Sequence, residues 1–284
     1  MSAPAVLERV TRTALLGIRL WDRVTARAVS DGLDLVEVGS GVRVRPNRSD
    51  VFVVHDLPGL RASSSGAGDA DFWASPPAVG VFTFELADRE RRFLPFRFQA
   101  PAPTRDFFSE TCGLPAMSPP DALVAGVPLF SSPARHVPAG TAVVRADLWD
   151  ADADAPAAWA VLEVGAPGGA TYHGVADAAG RVAVLLPYPE PPWHGSSPPP
   201  GSRALSDQTW SLELGARYSP AAALPPLPDP STGVPPDLCA VLTQQPATLL
   251  DSSSPLTLLT PTLRFGRELV VKTTGRHVLL VFPA

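Results

Sequence analysis

Residues 143–188 read VVRADLWDADADAPAAWAVLEVGAPGGATYHGVADAAGRVAVLLPY, and this stretch decides the fold class. It contains three short runs, VVRADLWD, WAVLEV and RVAVLLPY, that alternate apolar and polar residues or are rich in β-branched ones. Such runs are typical of β-strands. Asp177 and Gly180 precede the third run, where a tight turn needs an Asx side chain and a residue that can adopt positive φ. We therefore predict three strands and a structural turn at Asp177 and Gly180.

This arrangement resembles the carboxypeptidase regulatory-like (transthyretin-like) β-sandwich over residues 140–215. The features that carry the resemblance are a strand ending in Asp150, the D-x-x-G turn at 177–180, and an apolar strand that closes on a proline. Members of this family are usually non-catalytic modules. The resemblance therefore implies a fold and no peptidase activity.

Composition favours an all-β chain. The 284 residues include 34 prolines and 22 glycines, and short apolar runs punctuated by them replace long helical periodicities. We predict an all-β fold with two tandem β-sandwich domains, a proline-rich linker and an extended C-terminal arm. The expected boundaries are an N-terminal sandwich with a short arm at 1–105, the linker at 106–138, the regulatory-like sandwich at 139–215, and a proline-rich arm ending in a β-hairpin at 216–284.

A short internal repeat predicts that the two sandwiches share one architecture. Leu-Trp-Asp at 20–22 precedes Val-Glu-Val at 36–38, and Leu-Trp-Asp at 148–150 precedes Leu-Glu-Val at 162–164. Residues 14–101 are therefore expected to form a first sandwich of related design. Two copies are too few for a solenoid.

The sequence shows no constellation typical of an enzyme. Asp150, Asp152 and Asp154 have the 1-3-5 spacing of a calcium loop, but Ala155 and Val161 replace the glycine and the bidentate glutamate, so an EF-hand is excluded. The five histidines are scattered, and no G-x-S-x-G, phosphate-loop or dinucleotide-binding pattern occurs. A net charge of −5 gives no attraction to nucleic acid or to an anionic membrane. We predict no catalytic residue, no cofactor and no metal.

Candidate interface residues come from two regions. Trp73 and Trp193 lie in loops beside prolines, where aromatic anchors of interfaces are common. The C-terminal runs are partly apolar on both faces, so an unpaired edge there would promote aggregation. These runs either complete one of the sandwiches or lie on another protein. Their candidate contact residues are Leu269, Val270, Val271, Leu279 and Leu280.

Cys112 and Cys239 lie in irregular segments, and the sequence leaves open whether they form a disulfide. The N-terminal residues carry Glu8, Arg9 and Arg12 among apolar ones. Neither a signal peptide nor an apolar span of about 18 residues is visible. We therefore expect a cytoplasmic protein, released as part of a particle if at all.

Residues 20–190 are similar to accessory structural proteins encoded with bacterial contractile injection systems, which are phage-tail-like particles. The similarity is carried by LWDRVTARAVSDGL, VFVVHDLPGL and ADRERRFLPFRFQAP, followed by a module with GVADAAGRVAVLLPYPEP. It implies a non-enzymatic component of the baseplate or cap region. Such a component contacts other particle subunits in a large hetero-oligomeric assembly, with no nucleic-acid partner and no membrane insertion.

The alternative function is a carbohydrate- or cell-surface-binding module of the adhesin kind. In that case the aromatic residues of the loops, Trp73 and Trp193, would contact the ligand. Binding to glycans or to cell walls would favour this alternative over an assembly role.

Overall fold

The computed structural model describes residues 13–60, 72, 74–110, 112–114, 126–190, 205–220, 227–252 and 254–283. Trp73 and Trp193 lie outside these residues. Over the described ranges the chain is almost entirely β, with a short α-helix, α1 (Leu238–Leu242), and two 3-10 turns at Leu205–Asp207 and Pro230–Thr232. Phe72 and Ala74 are also helical. The predicted all-β class with two β-sandwich domains is confirmed. None of the helical segments seen in these ranges has the length and hydropathy needed to cross a membrane.

The first unit contains nine strands, which are β1 (Leu16–Asp22), β2 (Arg27–Ala28), β3 (Leu33–Glu37), β4 (Arg43–Pro46), β5 (Val51–Val54), β6 (Gly80–Asp88), β7 (Phe96–Ala102), β8 (Phe107–Phe108) and β9 (Val127–Leu129). They follow the order β2-β1-β5-β4-β3-β6-β7, and β8 and β9 add to β1 in parallel. The first half of β1 pairs with β5 and β8, and its second half pairs with β2 and β9. The sheet therefore curls around a core that includes Ile18, Leu35, Phe52, Phe84 and Phe98.

The second unit contains the remaining strands, which are β10 (Thr141–Asp150), β11 (Ala155–Pro156), β12 (Val161–Gly165), β13 (Thr171–Val175), β14 (Arg181–Pro187), β15 (Thr209–Ser211), β16 (Glu213–Arg217), β17 (Pro246–Leu250), β18 (Pro255–Leu256), β19 (Thr262–Arg264), β20 (Leu269–Val270) and β21 (Leu279–Phe282). The main sheet has the order β11-β10-β21-β17-β16-β12-β13. Strands β14 and β20 also pair with β10, β18 pairs with β17, and β15 and β19 form a separate two-stranded ribbon.

The C-terminal strands complete the second sandwich of their own chain. Strand β21 runs parallel to β10 and antiparallel to β17, so the question that the sequence left open is answered in favour of pairing in cis. Strands β20 and β21 do not form the predicted hairpin. Both lie parallel to β10, one after the other, because this long strand offers two successive stretches of backbone for pairing. Likewise, β8 and β9 from the predicted linker at 106–138 belong to the first sheet.

The internal repeat extends over both units. Trp21 pairs with Ala28 of β2 and Pro128 of β9, and Trp149 pairs at the same places with Pro156 of β11 and Leu280 of β21. The two central strands therefore have the same neighbours in the same register.

The glutamates that the sequence motif aligned are not equivalent, and this part of the repeat prediction is wrong. Glu37 is the last residue of β3 and accepts hydrogen bonds from the backbone of the next turn, at Gly39 and Ser40. Glu163 is the third residue of β12 and lies inside the strand. The motif matched residue types without fixing which position of the strand they occupy.

Candidate functional site at the seam between the two repeats

The apolar core of the first unit, which we call the first repeat, extends into the second unit, the second repeat, where the two meet. Phe96 and Phe130 of the first repeat belong to the same buried cluster as Trp159 and Val175 of the second. A second, smaller patch packs Val143, Ala183 and Leu185, from β10 and β14, against Val24 and Val137. We call this junction the seam. Because both patches exclude water over apolar side chains, they hold the repeats together by the hydrophobic effect.

Residues 227–245, which we call the clasp, reach from one repeat to the other. The carbonyl of Pro236 accepts a hydrogen bond of 2.7 Å from the backbone N–H of Arg97, on β7. The carbonyl of Pro228 accepts a hydrogen bond of 3.3 Å from the indole Nε1 of Trp159. Helix α1 lies within the clasp, and Asp237 caps it by accepting from the backbone N–H of Ala240.

A buried glutamine fixes the end of the clasp. The Gln244 side chain is 4% exposed. Its Nε2 donates to the carbonyls of Trp159 and Val241, each at 2.8 Å, and its Oε1 accepts from the backbone N–H of Ser219 at 2.9 Å. A buried amide is tolerated when its polar atoms are paired in this way. Gln244 therefore ties the clasp to the segment just before β12 and to the segment just after β16.

Cys112 and Cys239 form a disulfide, with Cα atoms 5.1 Å apart and a sequence separation of 127 residues. The bond joins the segment after β8 to helix α1 in the clasp. In the chain-entropy account, a crosslink that closes a loop of this length stabilises the folded state by roughly 4–5 kcal/mol. The disulfide therefore reinforces the seam covalently.

The aspartates of the two Leu-Trp-Asp motifs are buried turn caps. The Asp22 carboxylate accepts hydrogen bonds from the backbone N–H of Val24 at 3.0 Å and from Thr25 Oγ1 at 2.8 Å. Asp150 in the second repeat accepts from the backbone N–H of Asp152 and Ala153. This shared role explains why the motif recurs.

Beyond these turn contacts, Asp22 and Asp150 have different partners. Arg135, in the segment that connects the repeats, donates from both terminal nitrogens to Asp22 at 2.8 and 2.7 Å, and the two side chains are only 9% and 4% exposed. Burial alone would raise the pKa of Asp22, but the hydrogen bonds from Arg135 and Val24 outweigh it and hold the pKa below its usual range. In the second repeat, burial and a hydrogen bond to Asp150 raise the pKa of Tyr218.

A polar chain crosses the seam beside this ion pair. Arg23 Nη2 lies 3.3 Å from Nδ1 of His173, whose Nε2 faces Glu163 Oε1 at 3.6 Å, and the same oxygen accepts a hydrogen bond of 2.6 Å from Arg217 Nε. Interaction with His173 and with Arg217 outweighs burial and lowers the pKa of Glu163 to about 2. Burial lowers the pKa of Arg23 to about 10. A cavity of about 30 Å³ beside Arg23, Tyr172 and His173 has room for a water molecule.

We expect Glu163→Gln to lower the melting temperature at neutral pH but not in strong acid. Because the pKa of Glu163 is lowered from 4.5 to about 2, the carboxylate stabilises the fold above pH 4.5, and this contribution is lost as the pH falls towards 2. The difference in melting temperature between variant and wild type should therefore shrink across this window. Glu213→Gln, on the exposed side of β16, is the control. A difference in melting temperature that stays constant down to pH 2 would contradict the lowered pKa of Glu163.

The turn predicted at Asp177 and Gly180 packs against β10. Asp177 Oδ1 accepts from the backbone N–H of Ala179 and of Arg181, at 2.9 and 3.0 Å, and Gly180 has φ 77°. The Gly180 carbonyl accepts a hydrogen bond of 2.7 Å from the backbone N–H of Leu148. The turn therefore aligns β14 with the central strand.

The predicted interface residues of the C-terminal strands have different environments. Leu279 and Val271 are buried in the second core, and Leu269 and Leu280 are partly buried. Val270 is 61% exposed. Its counterpart on β8 in the first repeat, Phe107, is 48% exposed and was missed by the sequence reasoning.

An open cleft of about 450 Å³ lies on the first repeat, along β4 and β5. Its lining includes the polar side chains of Arg43, Arg45, Asn47 and His55. The volume falls within the range of small-molecule sites.

No protein-family model matches this sequence, and no curated protein matches it. Three of the solved structures that it resembles are the Bacillus anthracis TIE protein (TM-score 0.25, 9% identity), the shaft pilin spaA from Lactobacillus rhamnosus GG (0.24, 8%) and a streptococcal ancillary pilin (0.21, 11%). The matches cover 96%, 97% and 97% of this chain, and 34%, 98% and 62% of the other chains. The chain thus spans about a third of the TIE protein. TM-scores this low establish neither a shared fold nor a shared function.

Proposed function

We propose that this chain is a non-enzymatic structural component of a phage-tail-like contractile injection particle, in its baseplate or cap region, and that it acts through protein–protein contacts. The seam is the observation that supports the proposal best. A continuous apolar core, the clasp and a disulfide join the two repeats into one body. A subunit of a large assembly needs such a joint, because the joint fixes the relative direction of the surfaces on its two repeats.

The environment of the buried carboxylates at the seam supports a structural role for the chain. Asp22 is bound by Arg135, and Glu163 is bound by Arg217 and faces His173. Each of these carboxylates already accepts hydrogen bonds from protein donors, which lowers its pKa and reduces its value as a proton acceptor near neutral pH. The carboxylates of Asp22 and Glu163 are therefore engaged in structural contacts.

Exposed apolar side chains offer contact points for other subunits. Val79 and Val81 are 59% and 67% exposed. Val79 directly precedes β6 and Val81 is its second residue, so the two exposed side chains lie close together along the chain. Exposed apolar side chains that cluster in this way are typical of interaction surfaces. Val270, on the second repeat, provides a separate exposed point.

The disulfide is relevant to the environment in which the chain functions. Disulfides persist in oxidising environments and are rare in the reducing cytoplasm. A bond between Cys112 and Cys239 therefore fits a chain that is made in the cytoplasm and later released as part of a particle. The proposed partners are the other particle subunits.

Co-expression with the genomic neighbours tests the assembly role. We expect the tagged full-length chain to sediment with a large complex that contains the neighbouring gene products. A chain that stays monomeric in the presence of these products, with no high-molecular-weight partner, would overturn the proposal.

Surface variants then locate the contact. Val81→Asp places a charge in the exposed patch of β6 and should remove the chain from the complex without changing its melting temperature, because the residue is solvent-exposed. Val81→Thr keeps the β-branched shape without the charge and is the matched control. Val270→Asp makes the same test on the second repeat. Incorporation of both Asp variants at the wild-type level would show that neither patch is the contact.

A carbohydrate- or cell-surface-binding module is the second candidate, and the cleft along β4 and β5 is the observation that favours it. The guanidinium of Arg45 and the amide nitrogen of Asn47 provide hydrogen-bond donors suited to a polar ligand. Glycan-array binding that is lost in Arg45→Ala and kept in Val81→Asp would favour this candidate over the assembly role.

A further inference from the structure

Three groups with the chemistry of metal ligands meet where the clasp is crosslinked. A carboxylate oxygen of Glu110 and the Sγ atoms of Cys112 and Cys239 all lie within 4.8 Å of one another. In this structure the two sulfurs form a disulfide. All three side chains are partly buried, so the site is shielded yet accessible from solvent.

The segment around Cys112 directs its side chain and that of Glu110 to the same place. Cys112 and Gly113 adopt left-handed conformations, with φ 50° and 71°, so the chain turns sharply there. Glu110 Oε1 accepts a hydrogen bond of 2.7 Å from the backbone N–H of Cys112. The carboxylate is thereby held beside the sulfur of Cys112.

Contacts other than the disulfide hold Cys239 in position. It is the second residue of α1, whose Leu238 and Val241 are buried in the core of the first repeat. The Asp237 cap and the hydrogen bond between Arg97 and Pro236 anchor the same helix. We therefore expect these contacts to keep the two thiols near each other and near Glu110 when the disulfide is reduced.

We propose that the reduced protein binds one Zn²⁺ or a similar soft divalent cation through Cys112 Sγ, Cys239 Sγ and the Glu110 carboxylate. Two thiolates and one carboxylate, completed by a water molecule, make a tetrahedral donor set that suits Zn²⁺. Metal–ligand distances of about 2.0–2.3 Å require only small movements of side chains that already lie close together. This inference does not depend on the assembly role.

The disulfide and the metal exclude each other. A dithiol reductant gives two electrons and two protons to the Cys112–Cys239 bond, which yields two thiols while the reductant forms its own disulfide. The incoming cation then displaces both thiol protons. Reoxidation by a disulfide-containing oxidant reverses the sequence and expels the cation. The clasp is thus tied to the segment after β8 by a metal under reducing conditions and by a covalent bond under oxidising ones.

Titration of the full-length reduced protein with Cd²⁺ tests the proposal. The protein is reduced, freed of reductant without air, and titrated while the thiolate-to-cadmium charge-transfer absorption is recorded. We expect saturation at one Cd²⁺ per chain, release of one Zn²⁺ when Cd²⁺ is added to the zinc-loaded reduced protein, and release of one metal for each disulfide formed on adding oxidised glutathione. Oxidised wild-type protein, which keeps the fold without free thiols, is the negative control and should give no band.

Two variants assign the ligands. Cys239→Ser should abolish the one-to-one band. Glu110→Gln should weaken binding roughly tenfold or more, because even residues that only support a metal ligand affect affinity by that factor. Glu213→Gln, at an exposed glutamate on β16, should bind like wild type. Binding no stronger in the reduced than in the oxidised protein would overturn the metal site, and unchanged affinity in Glu110→Gln would overturn the role of the carboxylate.

Discussion

Gly180→Val should lower the free energy of unfolding by about 4 kcal/mol. Gly180 has φ 77°, a conformation in which a β-branched side chain is strained. A Cβ atom at this position would lie 2.3 Å from the carbonyl oxygen of Leu148. That oxygen accepts a hydrogen bond of 3.0 Å from the backbone N–H of Ala157, so it cannot move without disturbing the pairing around β10. Denaturant unfolding followed by tryptophan fluorescence measures the loss.

A substitution at a second glycine separates the cost of backbone strain from the cost of the close contact with the Leu148 carbonyl. Gly168 has φ 97°, and an added Cβ would have no neighbour within 4 Å. Gly168→Val should therefore cost only the strain, about 1–2 kcal/mol. Equal losses in the two variants would show that the contact with Leu148 contributes nothing. Wild-type stability of Gly180→Val would show that the turn is built differently.

This turn was predictable because both of its defining residues stand in the sequence. The first repeat contains the same turn, in which Asn47 Oδ1 accepts from the backbone N–H of Ser49 at 2.8 Å and of Val51 at 3.1 Å. There the left-handed position is occupied by Asp50, with φ 57°. Because Asp carries a weaker signal for positive φ than glycine does, the sequence reasoning did not recognise the equivalent turn.

The short parallel strands could not be predicted from local patterns. Strands β8 and β9 have only two and three residues, and each pairs with β1, far away along the chain. Their place depends on which backbone groups of β1 lack partners, a property of the folded sheet and not of the segments themselves. Strands β20 and β21 pair with β10 for the same reason. The alternating pattern of apolar and polar residues therefore predicted strands and the all-β class. It could not show how the segments assigned to the linker and the arm pair with the sheets.

The contacts at the seam could not be predicted from the sequence either. Asp22 and Arg135 are 113 residues apart, and nothing near either residue indicates its partner. Of these two residues, only Asp22 could be singled out from the sequence, because it belongs to the repeated Leu-Trp-Asp motif. Glu163 and Arg217 meet only because β12 pairs with β16. Partnerships of this kind follow from topology, so sequence reasoning could identify the charged residues but not the contacts that define their role.

Arg135→Met should lower the free energy of unfolding by about 3–5 kcal/mol, because it leaves the buried Asp22 carboxylate without its counter-charge. The variant also loses the hydrogen bond from Arg135 Nη1 to Ser131 Oγ and the stacking of the guanidinium over Phe93. The pKa of Asp22 is lowered in the folded wild type, so the pair stabilises the fold fully above the ordinary value of 3.8. This contribution is lost as the pH falls through the lowered folded pKa. The deficit of the variant should therefore be largest at neutral pH and shrink in acid.

Two further variants decide whether buried charge is the cause. Arg181→Met removes an ion pair with Asp177 in which the arginine side chain is 61% exposed, and it should cost less than about 1 kcal/mol. Asp22→Asn in the Arg135→Met background removes the stranded charge and should recover part of the lost stability, because a neutral amide costs less to bury than a carboxylate. Denaturant unfolding of all four proteins at neutral pH compares them directly. If Arg135→Met costs no more than Arg181→Met, or if the double variant is no more stable than Arg135→Met, the ion pair at the seam does not stabilise the fold as its geometry indicates.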